Sequence, residues 1–354
     1  MNPAMRRAVH RVMNQWKRVL LAVIAAACCG ASARAVTYSG LYVFGDSLSD
    51  PGNNAVVFSS TATPPTNVTL QSDITSNAFL PSFPYASSLQ YSNADVWAYR
   101  FATLLGLPTQ AAAPVLGAGT NYAFGGARTG PLDPNGILDQ FPASLQTQVQ
   151  TFVGSLGASP APADALYVVA GGGNNARDAM NAIASGSDAT TTIAATAAAY
   201  AADIGNIVDA LQGKGARQVV VWNVGNIGRS PFATAGGAGF SSLGTQVAQA
   251  MNEALAGRMA GETDVIPYDS YGTENAIFAD PATFGLTNVS NAFGAAFPVG
   301  GDPATYFFWD GIHPTSSGHR IIADSLYAAV VPEPSPVVLL VVGCVAAVGH
   351  RRRR

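Results

Sequence analysis

The chain has 354 residues with 18 basic, 21 acidic and four histidine side chains, a formal net charge of −3. The basic residues crowd the two ends, so residues 36–331 hold eight basic against 20 acidic side chains, a formal net charge of −12. That balance excludes nucleic acid as a partner, and it excludes docking on anionic lipid through a basic patch. The three cysteines, Cys28, Cys29 and Cys344, also lie in the ends. The middle therefore has no disulfide and needs a packed core, which a chain of this length can bury as one domain.

Residues 1–18 carry Arg6, Arg7, Arg11, Lys17 and Arg18 without an acid. An apolar run from Val19 to Ala27 follows, and small residues then lead to Ala33-Arg34-Ala35. Charged, apolar and cleavage-site segments in that order predict a secretory signal peptide over 1–35, with a buried N-terminal helix as the alternative. Alanines precede Cys28 and Cys29 where a lipoprotein signal carries a larger aliphatic residue, and Arg6-Arg7 lacks the rest of a twin-arginine pattern.

The middle segment alternates two periodicities. Strand-like apolar runs fall at Leu41–Phe44, Ala165–Ala170, Gln218–Trp222 and Val265–Tyr268. Helical stripes lie between them: Val96, Trp97, Phe101, Leu104 and Leu105; then Ile193, Ala197, Tyr200, Ile204, Ile207, Val208 and Leu211, ending at Gly213 and Gly215. Phe240, Leu243, Val247, Met251 and Leu255 form a third stripe, and Ile321, Ile322, Leu326 and Val330 the last. Strands alternating with helices predict a mostly parallel sheet covered on both faces, with ligands beyond the carboxyl ends of the strands. The Ser/Thr/Pro/Asn-rich stretch from Ser59 to Asn93 reads as a long surface excursion, a candidate cleft wall.

Two short stretches carry the candidate chemistry. Phe44-Gly45-Asp46-Ser47-Leu48-Ser49-Asp50 sets a serine between a strand-like run and a Gly/Asn-rich turn, and Asp310-Gly311-Ile312-His313-Pro314 sets a carboxylate three residues before an imidazole. A serine hydroxyl becomes a good nucleophile when a base takes its proton and a carboxylate holds that base in place. His10 and His350 lie in the ends, which leaves His313 and His319 as candidate bases. Taken singly, each residue has a structural reading. Ser47 can cap a turn, Gly125 and Gly126 can permit one, Asn174-Asn175 can take left-handed backbone, and Asp310 with His313 can form a loop ion pair. Asp46 and Asp50 read as turn acceptors, His319 as a helix-surface residue, and Arg128 and Trp309 as neighbours of the cleft. Competing chemistries lack their signatures: there is no G-x-S-x-G elbow, Gly213-Lys214-Gly215 is no P-loop, and two histidines six apart without cysteines make no recognisable zinc site.

Four blocks in order resemble the GDSL, or SGNH, serine hydrolases. Gly45-Asp46-Ser47-Leu48-Ser49-Asp50 resembles the nucleophile block, and Asn121-Tyr122-Ala123-Phe124-Gly125-Gly126-Ala127 the second block. Gly172-Gly173-Asn174 resembles the third, and Asp310-Gly311-Ile312-His313-Pro314 the block that supplies acid and base. The resemblance covers most of 40–330 and implies a three-layer α/β/α, flavodoxin-like SGNH hydrolase domain over 36–331. It implies Ser47, His313 and Asp310 as the catalytic triad, and an oxyanion hole from the Ser47 and Gly126 backbone N–H groups and the Asn174 amide. It implies no cofactor and no metal. The expected substrate is an ester (lipid, small ester or acylated polysaccharide), hydrolysed through an acyl-enzyme. An acyltransferase with the same serine and a non-catalytic surface or matrix binding protein are the alternatives. Asn175 departs from the pattern, since many members carry Asp there.

The C-terminus reads Val331-Pro332-Glu333-Pro334-Ser335-Pro336, an apolar run from Val337 to Val348, and Arg351 to Arg354. That run is short against the about 17–25 residues of a spanning helix, and the arginines favour the cytoplasmic side. The order resembles the PEP-CTERM sorting signal of Gram-negative bacteria. For 332–354 the resemblance implies transient contact with the inner membrane and cleavage near Pro332-Glu333-Pro334 by an exosortase-like enzyme. The product would be exported to the cell surface or beyond; a plain membrane anchor is the alternative.

Overall fold

The apolar runs become four parallel strands: β1 Leu41–Gly45, β2 Leu166–Ala170, β3 Val219–Trp222 and β4 Val265–Tyr268. They lie side by side in chain order, with Leu41 opposite Leu166, Tyr167 opposite Val219, and Val219 opposite Val265. β2 and β3 are buried along their whole length. Helices cover both faces of such strands, which is why LYVVA and VVVW are unbroken apolar runs rather than alternating ones. On the other edge of β1, Val43 forms a parallel bridge with Asn121. The chain thus lays a single rung on one side of β1 and then crosses to β2 on the other. That reversal is a topological switch point, and Ser47 lies just past the end of β1. This is the expected flavodoxin-like, three-layer arrangement. A second parallel pair, β5 Asn288–Ala292 and β6 Tyr306–Phe308, leads into the Asp310–His313 loop.

The computed structural model describes residues 37–59, 67–68, 80–81, 89–114, 119–131, 143–294 and 301–331. The expected signal peptide, the sorting tail and most of the Ser59–Asn93 excursion lie outside the described residues, and 38–330 make one compact unit. The helices used below are α1 Asn53–Ser59, α2 Trp97–Leu104, α3 Leu145–Ser155 and α4 Gly173–Ala184. They are followed by α5 Ala189–Lys214, α6 Ala238–Met259, α7 Ser270–Ala279 and α8 Ser316–Val330. Helices α3 to α6 share one face of the sheet, where Phe152, Met180, Ile204, Val208, Val247 and Met251 close over Tyr167, Val169, Val219 and Val221. α5 starts where Asp188 accepts from Thr191 N–H at 2.8 Å, and it stops at Gly215, whose φ of 117° is left-handed. On the opposite face α2 packs on α8, and α8 on β4. There Trp97 meets Trp222 of β3, which meets Tyr268 of β4, with ring centroids 4.8 Å apart in both pairs.

His319 corrects the expectation of a helix-surface residue. It lies on α8 three, four and seven residues before Ile322, Ala323 and Leu326, on the buried stripe itself, and is 1% exposed. Neither ring nitrogen has a hydrogen-bond partner among the described residues. Burial first, and the neighbouring His313 second, push its pKa down to about 3 from 6.5, so the ring is neutral. The folded state resists the proton that the unfolded chain accepts, so His319 costs stability as pH falls from 6.5 toward about 3. An unpartnered buried polar group costs about 1–3 kcal/mol, and an apolar group of similar shape avoids that cost. His319→Leu is therefore expected to leave the urea midpoint unchanged or raise it at pH 7, with an advantage over wild type that widens toward pH 5. A midpoint lowered equally at both pH values would contradict this account of the ring.

Candidate active site

β1 ends at Gly45, where the neighbouring strand and the turn that follows leave no room for a side chain. A Cβ there would lie 2.7 Å from Ala170 O and 2.8 Å from Ser49 Oγ. The chain then turns at once: Leu48 N–H donates to Asp46 Oδ1 at 3.1 Å and Ser49 N–H to Asp46 O at 3.0 Å. This leaves Ser47 at the apex with its hydroxyl toward the β6–α8 loop. Ser47 Oγ lies 2.8 Å from His313 Nε2, and His313 Nδ1 lies 2.6 Å from Asp310 Oδ2. The other carboxylate oxygen, Oδ1, accepts the backbone N–H groups of Ile312 at 2.8 Å and His313 at 2.7 Å. Asp310 thus fixes both the loop and the ring. With Nδ1–H donated to the carboxylate, Nε2 is left to accept from Ser47 Oγ–H. The loop is pinned from outside as Trp309 N–H donates to His313 O at 2.8 Å and Ser92 Oγ to Pro314 O at 2.9 Å.

Asn174 lines the same cavity as Ser47, and the expected donors at Ser47, Gly126 and Asn174 each keep an N–H uncommitted. The backbone N–H groups of Ser47 and Gly126 make no hydrogen bond among the described residues. Gly126 has φ +83°, a left-handed conformation that a side chain would strain. Asn174 lies in the first turn of α4, just beyond β2. Its Nδ2 spends one hydrogen on Ala127 O at 2.9 Å, which orients the amide and leaves the second hydrogen uncommitted.

Asp50 joins the serine turn to the glycine loop. Its buried carboxylate accepts from the backbone N–H of Gly52 at 2.8 Å, Asn53 at 2.6 Å and Asn54 at 3.4 Å, and from Gly125 at 2.8 Å. Burial nevertheless holds its pKa up at about 6, and burial does the same for Asp46. Asparagines complete the clamp. Asn53 Nδ2 donates to Asn121 O at 2.9 Å and Ala123 O at 2.8 Å, and Asn121 Nδ2 to Ser49 O at 2.7 Å.

Asn175 explains its own departure from the family pattern. Its Oδ1 accepts from Thr129 N–H at 3.1 Å, and its Nδ2 donates to Thr129 Oγ1 at 3.2 Å. Thr129 already donates that hydroxyl to Asp203 at 2.8 Å, so its partner has to be a donor, which a carboxylate is not. Arg128 and Trp309 are absent from the cavity wall at Ser47, contrary to expectation. Arg128 forks onto Asp178 of α4 at 2.8 and 2.9 Å and holds Gly126 O at 2.9 Å, so it braces the glycine loop. Trp309 is buried and stacks on Phe293 at 5.8 Å.

Ser47, Asn174 and His313 open onto a cavity of about 100 Å³. Its wall includes six polar residues outside the sequence motifs: Arg177, Asn223, Asn226, Ser230, Ser270 and Glu274. Arg177 stands one helical turn after Asn174, a spacing that could have pointed to it. Nothing in the local sequence singles out the other five. Among the described residues no group of three or more His, Cys, Asp or Glu is placed to hold a metal ion.

A family profile described as GDSL-like Lipase/Acylhydrolase matches residues 41–326, and the chain belongs to that family. Relatives include esterase EstA of Pseudomonas aeruginosa and esterase EstA of Pseudomonas putida. Each is 30% identical over 368 residues, covering 88% of this chain and 50% of the relative. An uncharacterized protein of the trpE-trpG intergenic region of Pseudomonas putida is 29% identical over 349 residues, covering 88% of this chain and 52% of its own length. The chain thus spans about half the length of the curated relatives it matches.

The Asp50 clamp yields a test. Asp50→Ala leaves four backbone donors without their acceptor and is expected to cost about 3 kcal/mol or more in urea denaturation. Asp50→Asn keeps one oxygen for the turn and presents N–H groups elsewhere, so it should cost about half as much. A loss below about 1 kcal/mol in Asp50→Ala, the range of an ordinary surface change, would show that the clamp is not structural.

Proposed function

We propose that this chain is an exported carboxylester hydrolase that works through an acyl-enzyme on Ser47. The observation that carries the reading is the chain of contacts from Ser47 Oγ to His313 to Asp310, at 2.8 and 2.6 Å, beside uncommitted N–H donors. Ser47 Oγ attacks the ester carbonyl carbon while His313 Nε2 takes its proton. The carbonyl oxygen, now an anion, settles between the N–H groups of Ser47, Gly126 and Asn174. His313 returns the proton to the departing alcohol, leaving Ser47 acylated. Water enters, gives a proton to His313 and attacks the acyl carbon; the acid leaves and Ser47 regains its proton. Asp310 keeps the ring in the tautomer that both halves require and stabilises it when it is charged. Membership in the lipase/acylhydrolase family and the esterase names of two relatives support the same reading.

Kinetics with p-nitrophenyl esters test the roles apart. Ser47→Ala and His313→Ala should each lower kcat by about 10⁴-fold or more in a folded protein, since the two act as one unit. Asn174→Ala should lower kcat about 10²–10³-fold with little change in KM, as expected of a donor used in the transition state. Normal turnover in Ser47→Ala would remove the mechanism, and an effect of Asn174→Ala confined to KM would make that amide a substrate-binding group. Adding an acceptor alcohol and analysing the products separates hydrolysis from acyl transfer.

The two ends support export. The signal-peptide pattern over 1–35 and the Pro-Glu-Pro, apolar and arginine order over 332–354 would take the acidic domain through the inner membrane for release by an exosortase-like enzyme. Mass spectrometry of the protein from its host should find a mature chain without either segment. Mature molecules that keep Arg351–Arg354 would favour a permanent anchor.

A further inference from the structure

The inner wall of the cavity at Ser47 is built from the segment after β3 and from α7, and most of its polar groups are already committed. Asn223 donates from Nδ2 to Asp269 at 2.7 Å and accepts on Oδ1 from Tyr271 N–H at 2.9 Å. Asn226 donates from Nδ2 to Asn275 at 3.0 Å and accepts on Oδ1 from Thr245 Oγ1 at 3.0 Å. Two groups are left over. Glu274 accepts from Asn226 N–H on Oε2 at 2.8 Å, while its Oε1 has no hydrogen-bond partner among the described residues. The hydroxyl of Ser270, one turn earlier on α7 and buried, has none either.

The surroundings make these groups conspicuous. Val224, Ile227, Phe307 and Phe308 form apolar parts of the same wall. Glu274 is also fitted to its place, because a Cβ on Gly225 would fall on Oε1. A cavity meant for an alkyl chain gains nothing from a carboxyl oxygen and a hydroxyl, whose desolvation without a partner costs about 1–3 kcal/mol each.

We propose that Glu274, with Ser270, selects esters that carry a hydroxyl group on a short arm, which enters this cavity and bonds to Glu274 Oε1. The inference rests on the ester-hydrolase reading above. A cavity of about 100 Å³ has room for a short hydroxylated arm. Burial raises the Glu274 pKa to about 7, so both carboxyl forms are present near neutral pH, and each can bond a hydroxyl. A site built to hydrogen-bond a hydroxyl rejects the analogue that lacks it far more strongly than an apolar pocket rejects the added oxygen.

Two matched pairs of substrates test this and locate the hydroxyl. On the acyl side the pair is p-nitrophenyl butyrate and p-nitrophenyl 3-hydroxybutyrate; on the alcohol side it is propyl butyrate and glycerol 1-monobutyrate. In one pair the wild-type kcat/KM should favour the hydroxylated ester by about tenfold or more, and that pair names the side. Glu274→Leu should bring this ratio close to one. Glu274→Asp, which withdraws the carboxyl by a methylene and serves if the leucine variant does not fold, should do the same. Glu274→Gln should keep the ratio within about threefold of wild type, because its one oxygen stays on Asn226 N–H and its amide N–H then donates to the hydroxyl oxygen. A ratio near one in both pairs for wild type overturns the proposal, as does a ratio unchanged in Glu274→Leu or Glu274→Asp. Equal losses on both members of a pair would make Glu274 a prop for the Asn226 segment, which also overturns it. Absence of turnover on all four esters would overturn the hydrolase reading, and this proposal with it.

Discussion

Asp50 places a carboxylate where water does not reach and surrounds it with backbone N–H groups from two distant parts of the chain. Gly52, Asn53 and Asn54 belong to the turn after the serine, while Gly125 stands next to Gly126 in the glycine loop. A buried carboxylate stripped of its partners costs several kcal/mol, so the two segments are held to each other by the need to satisfy it. The asparagines at 53 and 121 repeat the link with neutral hydrogen bonds. On the proposed mechanism the consequence is functional as well as structural. The N–H groups of Ser47 and Gly126 are fixed relative to each other before any substrate arrives, and donors that need no reorganisation are worth most to a developing negative charge.

The sheet supplies the other half of the arrangement. Ser47 follows β1, Asn174 follows β2, and the cavity wall follows β3, so three neighbouring strands deliver their groups to one end of the sheet. The rung at Asn121 brings the glycine loop up beside β1 from its other edge. His313 and Asp310 come from the loop after β6, tied back by Trp309 and Ser92. Ser47, Asn174 and the segment after β3 therefore meet because a parallel sheet sends every strand out in the same direction.

Much of this was legible in the sequence, for identifiable reasons. The central strands β2 and β3 are unbroken apolar runs because both faces are covered, and the edge strands β1 and β4 are apolar enough to stand out in a chain this rich in Ala, Ser and Thr. Ser47, Gly126, Asn174, Asp310 and His313 lie in short motifs, each on a tight turn or at a helix start of defined chemistry. Other features did not show. α4 buries Ala176, Ala179 and Met180, and two small side chains make a weak apolar stripe. α3 has Leu145, Val149 and Phe152 at helical spacing, but Gln and Thr between them dilute the signal. His319 was read from its polarity, although its register with Ile322 and Leu326 placed it inside. The roles of Arg128 and Glu274 depend on partners 50 and 48 residues away, Asp178 and Asn226, which no local pattern reveals.

The account stands on Ser47 being a nucleophile that His313 activates. A fluorophosphonate reacts with such a serine by losing fluoride and forming a stable phosphonate ester on Oγ, and intact-mass and peptide mass spectrometry then report how many sites reacted and which. The account predicts one adduct per chain on the peptide containing Ser47, formed within minutes by the wild type and only marginally by His313→Ala. No adduct on folded wild-type protein, an adduct on a different serine, or equal labelling of the His313→Ala variant would contradict it.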